Sequence, residues 1–307
     1  MTVKKTVALL LLAVCLLFNY GCKAKENPPQ DTVAASYWYY EHLNETQKEI
    51  YTKALEAAKS MQIGLIPLGE YSRQDVFLSC RAVLSDRPEF FWLPESIFLY
   101  QDENRAVSVG LEYRDVSYLI PQHQQQNAQN RLSAVVDEIN RGISANMSDF
   151  EKELYYHNWL CVNVEYANDI SDNLVYTAYG ALVNGSAVCE GYARAMQLLC
   201  GTQGIDCHLV YGSASNNGVD YIGHMWNQVK IDGKYYNLDV TLDDAGDIAV
   251  YDFFNTTDKQ LEATHAYDRD YSLLTAAEKE SGSASFNFYL PACTAQKYNY
   301  YSIFLKE

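Results

Sequence analysis

The dipeptide Asp232-Gly233 lies between two runs of alternating character, Gly223 to Ile231 and Lys234 to Val240. A two-residue Asp-Gly connection selects a tight hairpin, because both central residues must take positive φ and only the mirror-image turns match the twist of the strands they join. Register follows from the turn. With residue 231 facing 234, Trp226 falls opposite Asp239 and His224 opposite Thr241. His224 and Asp239 are then diagonal neighbours on one sheet face, about 7–8 Å apart at Cα and within reach of an imidazole and a carboxylate. The other face carries Met225, Val229, Ile231, Tyr236, Leu238 and Val240, an apolar set broken by Asn227. Since side chains alternate across a strand, that face is expected to pack as core. The polar face, with Gln228, Asn237 and Asp239, is expected to look into a cleft.

A candidate nucleophile precedes the hairpin. Cys189 follows a Gly185-Ser186 turn and begins a helix, so its sulfur sits near unpaired N–H groups and the positive end of the helix dipole. That position favours the thiolate. A lone Cys at a helix start is more often a small buried hydrophobe, but the hairpin adds the other two groups that thiol acyl chemistry requires. A histidine exchanges the proton with the sulfur and the leaving group, and a carboxylate fixes the imidazole and steadies its cation.

Three segments carry a family resemblance: Ala187-Val188-Cys189-Glu190-Gly191-Tyr192-Ala193, Gly223-His224-Met225-Trp226-Asn227, and Tyr235-Tyr236-Asn237-Leu238-Asp239-Val240-Thr241. Together, in the order Cys, His, Asp, they resemble the transglutaminase-like superfamily, whose catalytic core is similar to that of papain. The resemblance covers residues 148 to 257 and implies an α+β fold, with a Cys-bearing helix packed on an antiparallel sheet bearing His and Asp. It implies Cys189 as nucleophile, His224 as base and Asp239 as orienting acid. The activities it implies are cross-linking, peptide or amide hydrolysis and deglycosylation, each through a thioester or related covalent step. Cleavage of a peptide or amide bond through an acyl-enzyme is the favoured expectation. The alternatives are transglutaminase-type transfer to an amine and a non-catalytic surface binding module on the same fold. No cofactor and no metal is expected. The oxyanion donors expected are the backbone N–H of Cys189 and a side chain of Tyr166 or Asn163. Trp226, beside His224, is expected to wall the cleft.

The N-terminus reads as an address. Lys4 and Lys5 precede an apolar run from Thr6 to Phe18, which fits an export signal and is short for a bilayer span. Gly21-Cys22 at its end resembles the bacterial lipobox, with Asn19 and Tyr20 departing from the usual aliphatic pattern. Cys22 is therefore the expected lipidation site, and the protein is expected on the extracytoplasmic face of the cell membrane. Removing residues 1 to 21 takes away two lysines and no acids, and the formal charge goes from −16 to −18. So acidic a chain lacks the footprint for nucleic acid and cannot hold an anionic bilayer by charge, which leaves the lipid as anchor. The family resemblance implies a protein, peptide or cell-wall peptide as substrate.

The domains expected are a signal peptide over 1–22, a tether over 23–39, an N-terminal α+β accessory region over 40–145 and a catalytic domain with a C-terminal extension over 146–307. Helices are expected at 44–60, 72–84, 126–140 and 149–163, the last started by a Ser148/Glu151 capping box. Strands are expected at 97–100 and 106–113, and two or three more between 207 and 240. Cys200 and Cys207 are close enough in sequence to meet, as free thiols or as a disulfide. Asp243, Asp244 and Asp247 lack the spacing and terminal Glu of an EF-hand and read as a solvated acidic loop. His265 has no visible partner and reads as structural.

Overall fold

Four of the longer helices begin on a residue whose side chain satisfies a first-turn N–H or at a Gly-made turn, and their limits follow the expectations closely. Asn44 and Gln47 form a capping box for α1 (Glu45–Lys59), and Ser72 caps α2 (Arg73–Asp86), which stops short of Pro88. After α3 (Gln125–Asn140), Ser148 and Glu151 make the expected capping box of α4 (Asp149–Asn163). The Gly185 turn leads into α5 (Cys189–Thr202). These limits come from a computed structural model that describes residues 37–61, 71–93, 119–215, 217–246, 248–267 and 290–304. All of them belong to one compact unit, Val33–Glu307. The export signal, Cys22 and the strands expected at 97–100 and 106–113 lie outside the described residues.

A two-residue strand β1 (Glu165–Tyr166) pairs in parallel with β2 (Ser186–Ala187). The main sheet is built from β3 (Cys207–Ala214), β4 (Ile222–Ile231), β5 (Lys234–Leu238) and β6 (His265–Tyr267), antiparallel in the order β5-β4-β3-β6. The hairpin keeps the expected register, from Ile231 facing Lys234 to Asn227 facing Leu238, with Asp232 and Gly233 at φ 48° and 73°. The pairing ends one residue before it matters most. Asp239 leaves the ladder and caps a short helical turn, Val240–Asp243, its Oδ1 accepting the N–H groups of Thr241 and Leu242 at 3.0 and 3.2 Å. Thr241 therefore never comes opposite His224.

The apolar face behaves as expected. Val229, Ile231, Tyr236 and Leu238 pack with Tyr192, Ala195, Met196 and Leu199 of α5 in the larger core. Met225 joins Ala193, Leu209 and Tyr211 in a second core with Tyr39, Ile50, Val76 and Cys80. Asn227 earns its place among them by donating its Nδ2 to the Ala193 carbonyl at 3.0 Å, which ties the sheet to the helix bearing Cys189. Both cores draw on residues from 40–145 as well as 146–307. Polar ties follow the same route: Arg194 and Gln197 of α5 donate to the carbonyls of Leu84 and Ser85 at 2.5 and 2.8 Å.

The polar face does not look into a cleft. Trp226, Gln228, Asn237 and Asp239 are all 1% exposed or less. Chain beyond residue 250 covers them: Trp226 packs with Leu261 and Tyr267, and Gln228 donates to the Pro291 carbonyl at 3.3 Å. Nothing within the hairpin signals this cover, because the covering residues arrive from distant chain.

Candidate active site

Cys189 is the first residue of α5, and the Tyr192 N–H is paired with the Val188 carbonyl at 3.1 Å. The amides of Cys189 and Gly191 lie in that first turn, where a helix has no carbonyl of its own to offer them. Two local features fix this corner. Gly185 adopts φ 69°, and a Cβ on Gly191 would lie 2.5 Å from the Val175 carbonyl oxygen and 2.7 Å from the Ala187 Cβ. The Tyr192 hydroxyl, 2.8 Å from the Val164 carbonyl and 2.5 Å from Asp244 Oδ2, joins α5 to the end of α4 and to the turn after Asp239. Cys189 itself is half-buried and its thiol is free.

His224 comes from β4, and its Nε2 lies 2.6 Å from Asp239 Oδ2. The Cys189 side chain lies close enough to its ring to help raise the imidazole. With Nε2 facing the carboxylate, Nδ1 is the nitrogen left for the sulfur. Burial alone would push the imidazole down, but the Asp239 charge and hydrogen bond, joined by Cys189, raise it to about 10. Asp239 is fully buried, which alone would raise its carboxyl. His224 and His265 overcome this and hold it well below the usual carboxylate range. The pair therefore rests as imidazolium and carboxylate across neutral pH.

His265, read as structural with no partner, is the residue the hairpin could not reveal. Its Nε2 lies 2.9 Å from the same Asp239 Oδ2, and its Nδ1 lies 2.9 Å from Thr264 Oγ1. His224, Asp239 and His265 are also the group of described residues dense enough for a metal, their ligand atoms lying within 4.8 Å of one another. Those atoms are engaged with each other as hydrogen-bond partners.

Other expected site residues fare differently. Tyr166 is near Cys189: burial first, then the charges of Cys189, Tyr176 and Asp239, push its phenol up, so it remains a donor. Asn163 turns back on its own helix, donating Nδ2 to the Trp159 carbonyl at 2.8 Å, so its amide is not directed at Cys189. Trp226 is no cleft wall. It lies buried beneath His224, the rings stacked at 6.3 Å and 22°, with its Nε1 donating to Asn237 Oδ1 at 3.3 Å. Asp243 is likewise not in a solvated loop. It is buried, 3.1 Å from His157 Nε2, and accepts the Phe253 N–H at 2.9 Å. Asp247 lies outside the described residues. Cys200 and Cys207 are both buried free thiols, not a disulfide, and Cys200 adds to the burial that pushes the Cys207 thiol up.

Residues 134–240, which include Cys189, His224 and Asp239, match the family model of the Transglutaminase-like superfamily. Over 150 residues the chain is 24% identical to the Kyphoscoliosis peptidase of Mus musculus and 23% identical to that of Homo sapiens. Each match covers 46% of this chain and 22% of the relative, so the chain spans less than a quarter of their length. Among solved structures, a candidate cysteine protease from Cytophaga hutchinsonii is 20% identical with a TM-score of 0.30, covering 40% of each chain. A TGase is 12% identical with a TM-score of 0.33, covering 47% of this chain and 43% of its own.

Proposed function

Taking as premise that residues 134–240 form a transglutaminase-like domain, of a superfamily made up in general of cysteine peptidases and transglutaminases, we propose that this protein is an exported, lipid-anchored thiol hydrolase of peptide or amide bonds. Cys189 is the nucleophile, His224 the proton carrier and Asp239 its orienter. One observation carries the reading: a single imidazole, raised in part by the neighbouring Cys189, gives its Nε2 to a buried carboxylate at 2.6 Å and leaves Nδ1 for the sulfur. With its proton held on His224, the Cys189 sulfur attacks the carbonyl carbon as the thiolate, and the Cys189 N–H and the Tyr166 hydroxyl receive the developing oxyanion. His224 Nδ1 passes its proton to the amine as the C–N bond breaks, leaving a thioester. Water then attacks the thioester, yielding one proton to Nδ1, and as the C–S bond breaks the acid departs and the thiolate is restored beside the imidazolium. Acidity of the mature chain and the lipobox-like Gly21-Cys22 support a surface-tethered enzyme whose substrate is a protein, a peptide or a cell-wall peptide. The test is a pool of peptides incubated with the native chain and with Cys189→Ala, read by mass spectrometry. Cleavage by the first and none by the second is expected, and equal product from both would refute the assignment.

A further inference from the structure

Asp239 accepts four hydrogen bonds, and their distribution between its two oxygens is uneven in kind. Oδ1 takes the backbone N–H groups of Thr241 and Leu242, which hold the carboxylate to its own turn. Oδ2 faces two imidazoles, His224 at 2.6 Å and His265 at 2.9 Å. His265 is the first residue of β6, paired with Ala214 on the far edge of the sheet from the hairpin. Its ring is buried against Trp226 at 5.1 Å, Phe253 at 5.3 Å and His224 at 5.7 Å. The titratable groups facing it are His224 from β4 and Asp239 from the turn after β5.

Through the reaction proposed above, His224 alternates between cation and neutral ring. When Nδ1 gives its proton to the leaving amine, Asp239 loses its cationic neighbour while remaining fully buried. A buried carboxylate in that position favours taking a proton, and a protonated Asp239 no longer orients His224. A second N–H on the same oxygen opposes this at the moment the first donor weakens. Resting on that reading of the site, we propose that His265 is a positioning residue, donating its Nε2–H to Asp239 Oδ2 so that the carboxylate stays ionised and aligned while His224 releases and regains its proton.

The test compares the full chain with His265→Leu and His265→Gln, the second placing an amide N–H near the position of Nε2. Iodoacetamide is the probe, its rate at Cys189 followed against pH, with thermal melting as the check on folding. The acid limb of the profile is expected to move up by about half a pH unit or more in His265→Leu and to return to the native position in His265→Gln. A folded His265→Leu chain with the native profile, or a folded His265→Gln chain shifted as far as His265→Leu, overturns the proposal. Imidazole nitrogen NMR of the unsubstituted chain decides it even if the leucine variant does not fold. His265 Nε2 is expected to be protonated throughout pH 6 to 8, and an unprotonated Nε2 overturns the proposal. An inert native Cys189 would instead sink the hydrolase reading, and the NMR result for His265 would stand apart from it.

Discussion

Among the described residues, a Cys, a His and an Asp come together at each end of one helical turn. Asp239 caps the start of Val240–Asp243 and Asp243 ends it. Asp239 meets His224 and, through it, Cys189; Asp243 meets His157 at 3.1 Å, and His157 lies 3.9 Å from the Cys161 sulfur. The residue types match, but the chemistry does not. His224 gives Nε2 to the carboxylate and leaves Nδ1 for the thiol. His157 presents the same Nε2 to Asp243 and to Cys161, and its Nδ1 faces Asn158. Burial, followed by the charges of Asp243 and Asp244, pushes the Cys161 thiol well up, and burial raises Asp243 to about 6 against the pull of His157. Asp239, equally buried, is driven the other way by two imidazoles. A thiol, a ring and a carboxylate make a reactive set only when the ring has a nitrogen for each partner and the thiol reaches solvent.

That contrast is broken most directly by removing each sulfur. Cys189→Ala is expected to lower peptide turnover by about 10⁴-fold or more, whereas Cys161→Ala should leave it within about threefold and cost about 1 kcal/mol of stability. Loss of turnover in a folded Cys161→Ala chain would show the buried grouping to be part of the chemistry. The second largest effect is on folding. His157→Ala leaves Asp243 buried without its ring and is expected to cost about 3 kcal/mol in urea unfolding, and an unchanged midpoint would deny the buried pair a structural role.

The buried side also predicts a pH dependence, centred on Glu153, one turn before His157 on α4. Its Oε2 accepts from Asn255 Nδ2 at 2.9 Å, and burial raises its carboxyl to about 8 from an ordinary 4.5. A folded value above the unfolded one means the unfolded chain releases this proton first. Stability should therefore fall as pH rises from about 4.5 to about 8 at this group, with Asp243 adding a fall up to about 6. Glu153→Gln removes the larger part, so its unfolding midpoint should vary less over that window than the native one. An identical slope would show that Glu153 is ionised in the fold. His224 acts on a higher window: its contribution is complete below its unfolded value near 6.5 and is lost as pH rises through about 10. The smallest effect belongs to Trp226→Phe, which keeps the ring beneath His224 and deletes the bond to Asn237. A loss of about 1 kcal/mol with little change at Cys189 is expected, and a changed substrate preference would return Trp226 to the cleft.

How much of this could be read beforehand depends on sequence separation. The Asp232-Gly233 turn sets a register local enough to bring His224 and Asp239 together, and the capping residues Ser148 and Glu151 mark α4 in the same local way. The reading fails where the chain leaves regular structure. Asp239 competes for its own backbone as a helix cap, and a two-residue period cannot anticipate that. His265 reaches Asp239 only because β6 adds to the edge of β3, a pairing with no spacing rule. His157 and Cys161 are one turn apart on α4, but their partner Asp243 lies 86 residues from His157, and neither was singled out from the sequence. Covering of the polar sheet face depends on equally remote chain, which is why Trp226 and Asp243 looked more exposed than they are.

The central claim is that Cys189 and His224 act as one unit and that Cys161 does not share that property. Iodoacetamide alkylation against pH, resolved by peptide mass spectrometry for each cysteine, tests it in the native chain and in His224→Ala. Rapid labelling of Cys189 below pH 7, slowed about a hundredfold at pH 6 by the substitution, with Cys161 untouched until the chain unfolds, is the predicted result. Labelling of Cys189 that follows an ordinary thiol near pH 8.5 in both chains would contradict the account.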